Sequence, residues 1–432
     1  MKDIKTELKN RKYHITNKFY YWFYRTVMKI KARKYHVTYE RIDDVRKYDG
    51  PCFVIFNHLS RIDHAYVVEA CYPKRLNMIA GYNEFYRSHL HFAFKCNNVI
   101  PKKQYVQDIS GMKAMMSVIK KGGSITFAPE GLATNDGMNK PIVPGTGAML
   151  KKLGVPVFFC KLRGQYLQNT KVCLDIREGK TFATTSLLFS QDDLKTLTPA
   201  EIDAKINEAF RNDEYKWEQE MKIKWDMKGR PCKSLDGLLY KCPRCKTNFS
   251  MHSTDDKIEC SNCGNSFTVN EYYELVPLKD DSVGFKIQSD WVNWQRQEII
   301  DDIRKDDNYS YKERVKIGRL PTDHYLKDLK TSEVVGEGYF IIDHQGVHYQ
   351  DDKDCNLNFD LSYNEVYTFI TEVDSSYFNF YVNNEYTDIF PLEHHSSLMV
   401  TALVEEMHRL HVNTYKNFPW FDYMYENKKM PN

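Results

Sequence analysis

Phe53-Val54-Ile55-Phe56-Asn57-His58-Leu59-Ser60-Arg61-Ile62-Asp63-His64 is the stretch on which the fold turns. From Cys52 to Phe56 the run is apolar and has the length of a buried strand. It ends on a small polar cluster, after which Ile62 and the apolar residues 65–68 begin a helix near Asp63. A histidine and a carboxylate five positions apart therefore meet across a strand-to-helix turn. Such a pair suits general-base chemistry: imidazole titrates near neutrality, and a carboxylate holds its tautomer and stabilises the cation that forms. A polar turn with an incidental histidine has the same spacing.

Working outward, Asp49-Gly50-Pro51 is a turn that launches this strand, and residues 36–40 alternate as a short strand before it. Downstream, the pattern predicts strands at 76–80, 124–127, 155–162 and 172–176, and a short extended piece at 99–101. Helices are predicted at 63–71, 85–94, 107–120 and 146–152, the third carrying Met112, Met115, Met116 and Ile119. This alternation predicts an α/β domain with a mostly parallel central sheet buried between helices. Thr198-Pro199-Ala200-Glu201 is a helix start, with a cap hydroxyl, proline at the first helical position and glutamate three residues after the cap. Residues 213–228 carry Trp217, Met221 and Trp225 at four-residue intervals and predict a closing helix.

Upstream of everything, residues 1–14 are polar and basic and read as frayed. Residues 17–31 change character: Phe19, Trp22, Phe23 and Val27 recur at helical spacing among Lys18, Arg25, Lys29 and Lys31. An aromatic face flanked by basic residues suits a helix lying in a membrane interface, and equally a helix packed on its own domain.

With 432 residues the chain is too long for one ordinary domain. A net charge of +3 places no demand for nucleic acid as a partner. No apolar run reaches the roughly 18 residues of a spanning helix. Eleven cysteines occur without a signal-peptide pattern, four of them in tight pairs, which points to a reducing compartment and one metal site. Those four are Cys242, Cys245, Cys260 and Cys263, two knuckles with fourteen residues between them. That spacing is the signature of a four-thiolate zinc ribbon, a structural Zn2+ site with no open position for catalysis.

Past the ribbon, Trp291, Trp294, Glu298 and Asp301 share a predicted helix, followed by a polar link at 302–311. Short alternating strands are then predicted at 338–343, 347–350, 365–372 and 377–383, with Asn383-Asn384 as a hairpin turn and a closing helix at 398–412. By element order alone, this mainly-β unit with a closing helix resembles the pleckstrin-like or GRAM-like class.

Asn57-His58, with four residues separating His58 from Asp63, resembles the first motif of the lysophospholipid (1-acyl-glycerol-3-phosphate) acyltransferase family. Residues 123–131, with Phe127, Pro129, Glu130 and Gly131, resemble its Phe-Pro-Glu-Gly block. Residues 143–150 resemble the following segment, and Val155-Pro156-Val157 the fourth block. The likeness runs from about Tyr35 to Leu188. It implies that His58 takes a proton from an acceptor hydroxyl as that oxygen attacks an acyl thioester, with Asp63 orienting the imidazole. The donor would be acyl-CoA or acyl-carrier protein, the acceptor a lysophospholipid such as lysophosphatidic acid held by Glu130 and Gly131. Where the family carries Thr-Arg after Glu-Gly, this chain has Leu132-Ala133. Where its second block ends in arginine, this chain offers Lys102 and Lys103, which lack the bidentate fork. Phe159 also stands where the fourth block often has a second proline. Tyr82, Phe85 and Phe94 are candidate lining residues for the acyl groove, with core packing as the equal alternative.

The sequence thus divides into an interfacial helical segment (1–34), an acyltransferase domain (35–228), a zinc ribbon (229–275), a linker with a helix (276–310) and a β-rich domain (311–432). The expected location is cytoplasmic, peripheral on the inner face of the cell membrane, with an anionic lipid surface as partner. An amine or sugar acceptor, a thioesterase, and a non-catalytic membrane or protein adaptor remain as alternatives.

Overall fold

The computed structural model describes residues 3–32 and 35–414. Residues 1–2, 33–34 and 415–432, and with them the ends of the N- and C-terminal segments read from the sequence, lie outside the described residues.

The central stretch forms β2 of a seven-stranded sheet. Its strands are β1 (His36–Arg41), β2 (Phe53–Phe56), β3 (Leu76–Gly81), β4 (Ile100–Lys102), β5 (Ser124–Phe127), β6 (Val157–Arg163) and β7 (Lys180–Phe189), in the order β1-β7-β6-β2-β5-β3-β4. All neighbours run parallel except β6 and β7. β2 sits in the middle and is buried along its whole length. An unbroken apolar strand suits that place, because both faces of a parallel sheet are covered. Phe53 and Ile55 face Met115, Val118 and Leu150 on the one side, while Val54 and Phe56 face Tyr66, Val67 and Ala70 on the other. The Thr198 start forms as read: its hydroxyl and the Glu201 carboxylate cap the Pro199–Phe210 helix reciprocally.

Three local readings are corrected. Residues 172–176 form no strand; the strand lies further on, as β7, with Thr181 and Thr185 among its buried residues. Its threonines hide the apolar alternation that would have announced it. The helix expected over 213–228 stops at Met221, where Lys222 turns left-handed at φ 50°. That turn lets Trp225 fold back into the core and donate its indole N–H to Glu218 at 2.9 Å. The N-terminal residues are not frayed: Asp3 caps a helix from Ile4 to Asn10 that buries Ile4 and Leu8. Tyr13 and Thr16 are buried behind it.

The second sheet has four antiparallel strands, β8 (Met251–Ser253), β9 (Ile258–Cys260), β10 (Ser266–Val269) and β11 (Leu275–Pro277). Its Phe267 and Cys260 share one apolar cluster with Val54 and Tyr66 of the first sheet's core, so it is fused to that core. The helix read within residues 276–310 forms as Gln288–Lys305, with Trp291 and Trp294 buried against Phe267 and Phe285.

The third sheet is a mainly antiparallel half-barrel of seven strands: β12 (Ser310–Arg319), β13 (Glu333–Asp343), β14 (Val347–Asp351), β15 (Phe359–Leu361), β16 (Ile370–Thr371), β17 (Phe378–Val382) and β18 (Glu385–Pro391). The order is β15-β14-β13-β12-β18-β17-β16, and the Ser397–His411 helix closes it with Met399, Val400, Leu403 and Val404 buried. Asn383 and Asn384, at φ 51° and 66°, make the β17–β18 turn as read, since a tight hairpin turn needs two left-handed residues. The strand expected over 365–372 shrinks to Ile370–Thr371. Just before it, Val366 and Phe369 are buried in the half-barrel's own core, while Tyr367 meets Tyr105. Among the described residues no helix is long and apolar enough to span a membrane.

Candidate active site and metal centre

β2 ends at Phe56, and the chain turns sharply through residues 57–62 into the Asp63–Cys71 helix. Asn57 pins the start of that turn by exchanging two hydrogen bonds with the backbone of Leu162 on β6, at 3.0 and 2.7 Å. Asp63 pins its end. The carboxylate is fully buried; Oδ2 accepts from the Leu59 and Ser60 backbone N–H groups at 2.6 and 2.8 Å, and Oδ1 from the Ser60 hydroxyl at 2.6 Å. The same Oδ2 lies 3.0 Å from His58 Nδ1. Asp63 therefore fixes the imidazole with Nδ1–H inward and Nε2 facing outward, where it is able to accept a proton.

Glu130 holds the turn from the opposite side. Its Oε2 accepts from the His58 backbone N–H at 2.7 Å and its Oε1 from the Lys140 N–H at 3.3 Å. Burial pushes the carboxyl up to about 8, against the pull of those two N–H groups. Gly131, next along, has φ +81°, and a Cβ there would lie 3.0 Å from Val143 and 3.2 Å from Tyr105. Only glycine suits that position.

His58 opens on a cavity of about 850 Å3. Phe127, Met112, Met115, Met116, Val143 and Met149 supply its apolar lining, with Lys113 and Lys152 next to these methionines in the chain; Lys102, Lys103, Gln104, Tyr105 and Asp108 supply a polar loop. The volume lies within the usual range for ligand pockets, and thioether side chains adapt to a flexible apolar ligand.

The predicted residues are distributed as follows. His58 and Asp63 meet. Glu130 and Gly131 stand beside them, Glu130 holding the turn and Gly131 lining the cavity. Lys102 lines it too, its Nζ bonded to the Lys103 carbonyl at 2.8 Å. Lys103 lines it as well and donates to the Asn384 carbonyl at 3.1 Å. Tyr82, Phe85 and Phe94 do not line the groove: Phe85 is buried against Phe94, with ring centroids 4.8 Å apart, in a separate apolar cluster. The methionines of the Ile109–Lys120 helix take that place, because they point toward β5 and the Thr146–Leu153 helix. His64 packs by Tyr24, and burial pushes it down to about 4, so it is neutral at ordinary pH. Gln104, Tyr105 and Tyr367 were missed. No pattern in the sequence marks them, since Tyr105 owes its place to a left-handed backbone at φ 58° and Tyr367 to a separate sheet.

The four paired cysteines converge, with all Sγ atoms within 4.8 Å of one another. The Cys242–Cys263 and Cys245–Cys260 sulfurs are each 3.7 Å apart. A tetrahedron with metal–sulfur bonds of about 2.3 Å has edges of about 3.8 Å, so the donor set fits a four-thiolate metal. Asn265 donates to Cys242 Sγ at 3.6 Å, a hydrogen bond of the kind that steadies a thiolate ligand.

The chain is similar to known acyltransferases over part of its length. The family model described as Acyltransferase matches residues 36–161. A chloroplastic 1-acyl-sn-glycerol-3-phosphate acyltransferase of Brassica napus is 26% identical over 132 residues, 30% of this chain and 38% of that protein. The chain thus spans well under half the length of that curated relative. A crystal structure of the 1-acyl-sn-glycerophosphate (LPA) acyltransferase PlsC from Thermotoga maritima aligns with 47% of this chain and 81% of its own, at 16% identity and a TM-score of 0.38. The matched segment holds β1 to β5 with the His58 turn, Glu130 and Gly131, and it is over this segment that the chain is similar to acyltransferases.

Proposed function

We propose that this protein transfers a fatty acyl group from an acyl thioester, acyl-CoA or acyl-carrier protein, to the hydroxyl of a lysophospholipid-like acceptor. The observation that carries the reading is the Asp63-oriented His58 opening on a methionine-lined cavity. His58 Nε2 removes the acceptor's hydroxyl proton while the oxygen attacks the thioester carbonyl. A C–O bond forms, the C–S bond breaks, and the imidazolium returns the proton to the leaving thiolate. Asp63 stabilises the imidazolium. No protein nucleophile is needed. Of the four lysines that line the cavity, Lys102, Lys103, Lys113 and Lys152, Lys102 is the one assigned to an acceptor phosphate.

Residues 35–228 are assigned as the catalytic unit and the four cysteines as ligands of a structural zinc. The closed half-barrel supports a pleckstrin-like or GRAM-like assignment for the C-terminal unit. The Lys18–Lys31 helix leaves Phe19, Trp22 and Phe23 exposed at 62%, 46% and 55%, although each would be sheltered in an ordinary packed helix. That face, with Lys18 and Lys31 at its ends, supports peripheral binding to an anionic membrane surface.

The test is a labelled acyl-thioester assay against a panel of lysophospholipids, amines and sugars, read by mass spectrometry. An acylated lysolipid is expected from the wild type. His58→Ala should lower the rate by about 100-fold or more, the usual contribution of a general base. Free fatty acid as sole product would replace transfer by hydrolysis, and near wild-type transfer by His58→Ala would remove the mechanism.

A further inference from the structure

We infer that the C-terminal half-barrel is part of the reaction cavity and selects the acceptor through Tyr367. Among the described residues lining the cavity, Tyr367 alone comes from beyond residue 152. It stands edge-on to Tyr105, ring centroids 5.5 Å apart. Tyr105 in turn donates its hydroxyl to the Glu130 carbonyl at 2.7 Å and packs over Gly131. Its φ of 58° is one that a bulky side chain adopts only when its surroundings enforce it. The half-barrel supplies part of that enforcement, beside the Glu130 bond and the Gly131 contact. Tyr367 covers the Tyr105 ring, and the β17–β18 turn takes the Lys103 ammonium on the Asn384 carbonyl, with the Tyr381 ring 5.5 Å away. The loop on this side of the cavity is therefore shaped between two sheets.

The cavity's division of polarity says which substrate Tyr367 meets. An acyl chain belongs along Met112, Met115, Met116 and Met149. The acceptor must bring its hydroxyl within hydrogen-bond reach of His58 Nε2. Its polar part then falls beside Lys102, Gln104, Tyr105 and Tyr367. A half-buried phenol at that point sets the space left for the headgroup. This inference rests on the acyl-transfer reading, which identifies the two substrates.

The experiment uses the full chain as wild type, Tyr367→Phe, Tyr367→Ala and Tyr367→Trp. Transfer is measured with mixed acceptors of small and bulky headgroup, lysophosphatidic acid against lysophosphatidylcholine, and with donors of graded chain length. Calorimetric binding of short-chain forms of both acceptors is measured in parallel in a His58→Ala background. Tyr367→Ala should shift the small-to-bulky ratio toward the bulky acceptor by about tenfold, Tyr367→Trp should shift it the other way, and Tyr367→Phe should keep it, with donor chain-length preference unchanged throughout. Either the alanine or the tryptophan variant suffices if the other does not fold. A binding ratio that shifts while no variant transfers would retain the inference and remove the transfer reading. Unchanged ratios in folded variants, a shift in donor chain length instead, or no acceptor binding by any form would each overturn it.

Discussion

Glu130 carries the clearest prediction at the scale of a residue. The side chain is enclosed between the His58 and Lys140 backbone N–H groups, and burial lifts its carboxyl from 4.5 to about 8. The unfolded chain releases this proton first, near its ordinary value, while the folded chain keeps it until about 8. The folded state therefore binds more protons across that interval, and this group's contribution to stability is present below about 4.5 and is lost as pH rises toward 8. The slope is at most about 1.4 kcal/mol per pH unit. Glu130→Gln should flatten the pH dependence of stability there, measured by urea denaturation at a series of pH values. An unchanged slope would assign it to other buried acids such as Glu214, which burial also lifts, to about 7.

Two elements make separate predictions. The Lys18–Lys31 helix is tied to the body by Arg25, which grips Glu69 at 2.7 and 2.9 Å, and by buried Tyr21. Its other face presents Phe19, Trp22 and Phe23. Co-sedimentation with anionic vesicles is expected for the full chain, and replacing those three aromatics by serine should abolish most of it. Raising salt should weaken it only in part, since screening acts on the lysines and not on the aromatic burial. Equal sedimentation of both forms would move the membrane contact elsewhere. The cysteine-bearing sheet should contain one zinc by elemental analysis. Because its core is continuous with that of the first sheet, stripping the metal with a chelator should lower the thermal midpoint of the whole chain rather than melt a separate unit. A metal-free protein with an unchanged midpoint would contradict this.

Across the whole molecule, a line of contacts leads from His58 to the closing helix. Glu130 bonds the His58 and Lys140 backbones; the Lys140 ammonium meets Glu405 at 2.6 Å; Glu405 meets Arg296 at 2.5 Å, and Arg296 meets Glu406 at 3.0 Å. Burial works against ionising Glu405, yet Lys140 and Arg296 hold it down to about 2. Glu405→Gln leaves the Lys140 ammonium without its counter-charge and Arg296 with Glu406 alone, and about 3 kcal/mol or more of stability should be lost at neutral pH by denaturant titration. The difference from wild type should narrow as pH falls below about 4.5 toward 2, where the wild-type carboxylate is protonated as well. A loss under about 1 kcal/mol would show that the three units are held by apolar packing alone.

The sequence by itself determined the parts whose information is local. The unbroken Phe53–Phe56 run demanded a strand covered on both faces, the Thr198 cap placed a helix start, the Asn383-Asn384 pair placed a hairpin, and the cysteine spacing placed a metal-binding cluster. His58 and Asp63 were legible because one turn brings them together. What only the tertiary structure decided are contacts between residues far apart in the chain. β7 escaped because threonines stand at its buried positions 181 and 185, the second donating to the Asp43 carbonyl at 3.3 Å, so its composition is not that of a core strand. Whether Tyr82, Phe85 and Phe94 line a cavity or pack in a core was open in the sequence, and the fold packs them in a core, because the apolar faces of neighbouring helices look alike in sequence and differ only in what they meet. Tyr105 and Tyr367 could not be read at all. One depends on a left-handed backbone that a tyrosine does not choose alone, the other on the docking of a separate sheet, and neither leaves a periodic trace.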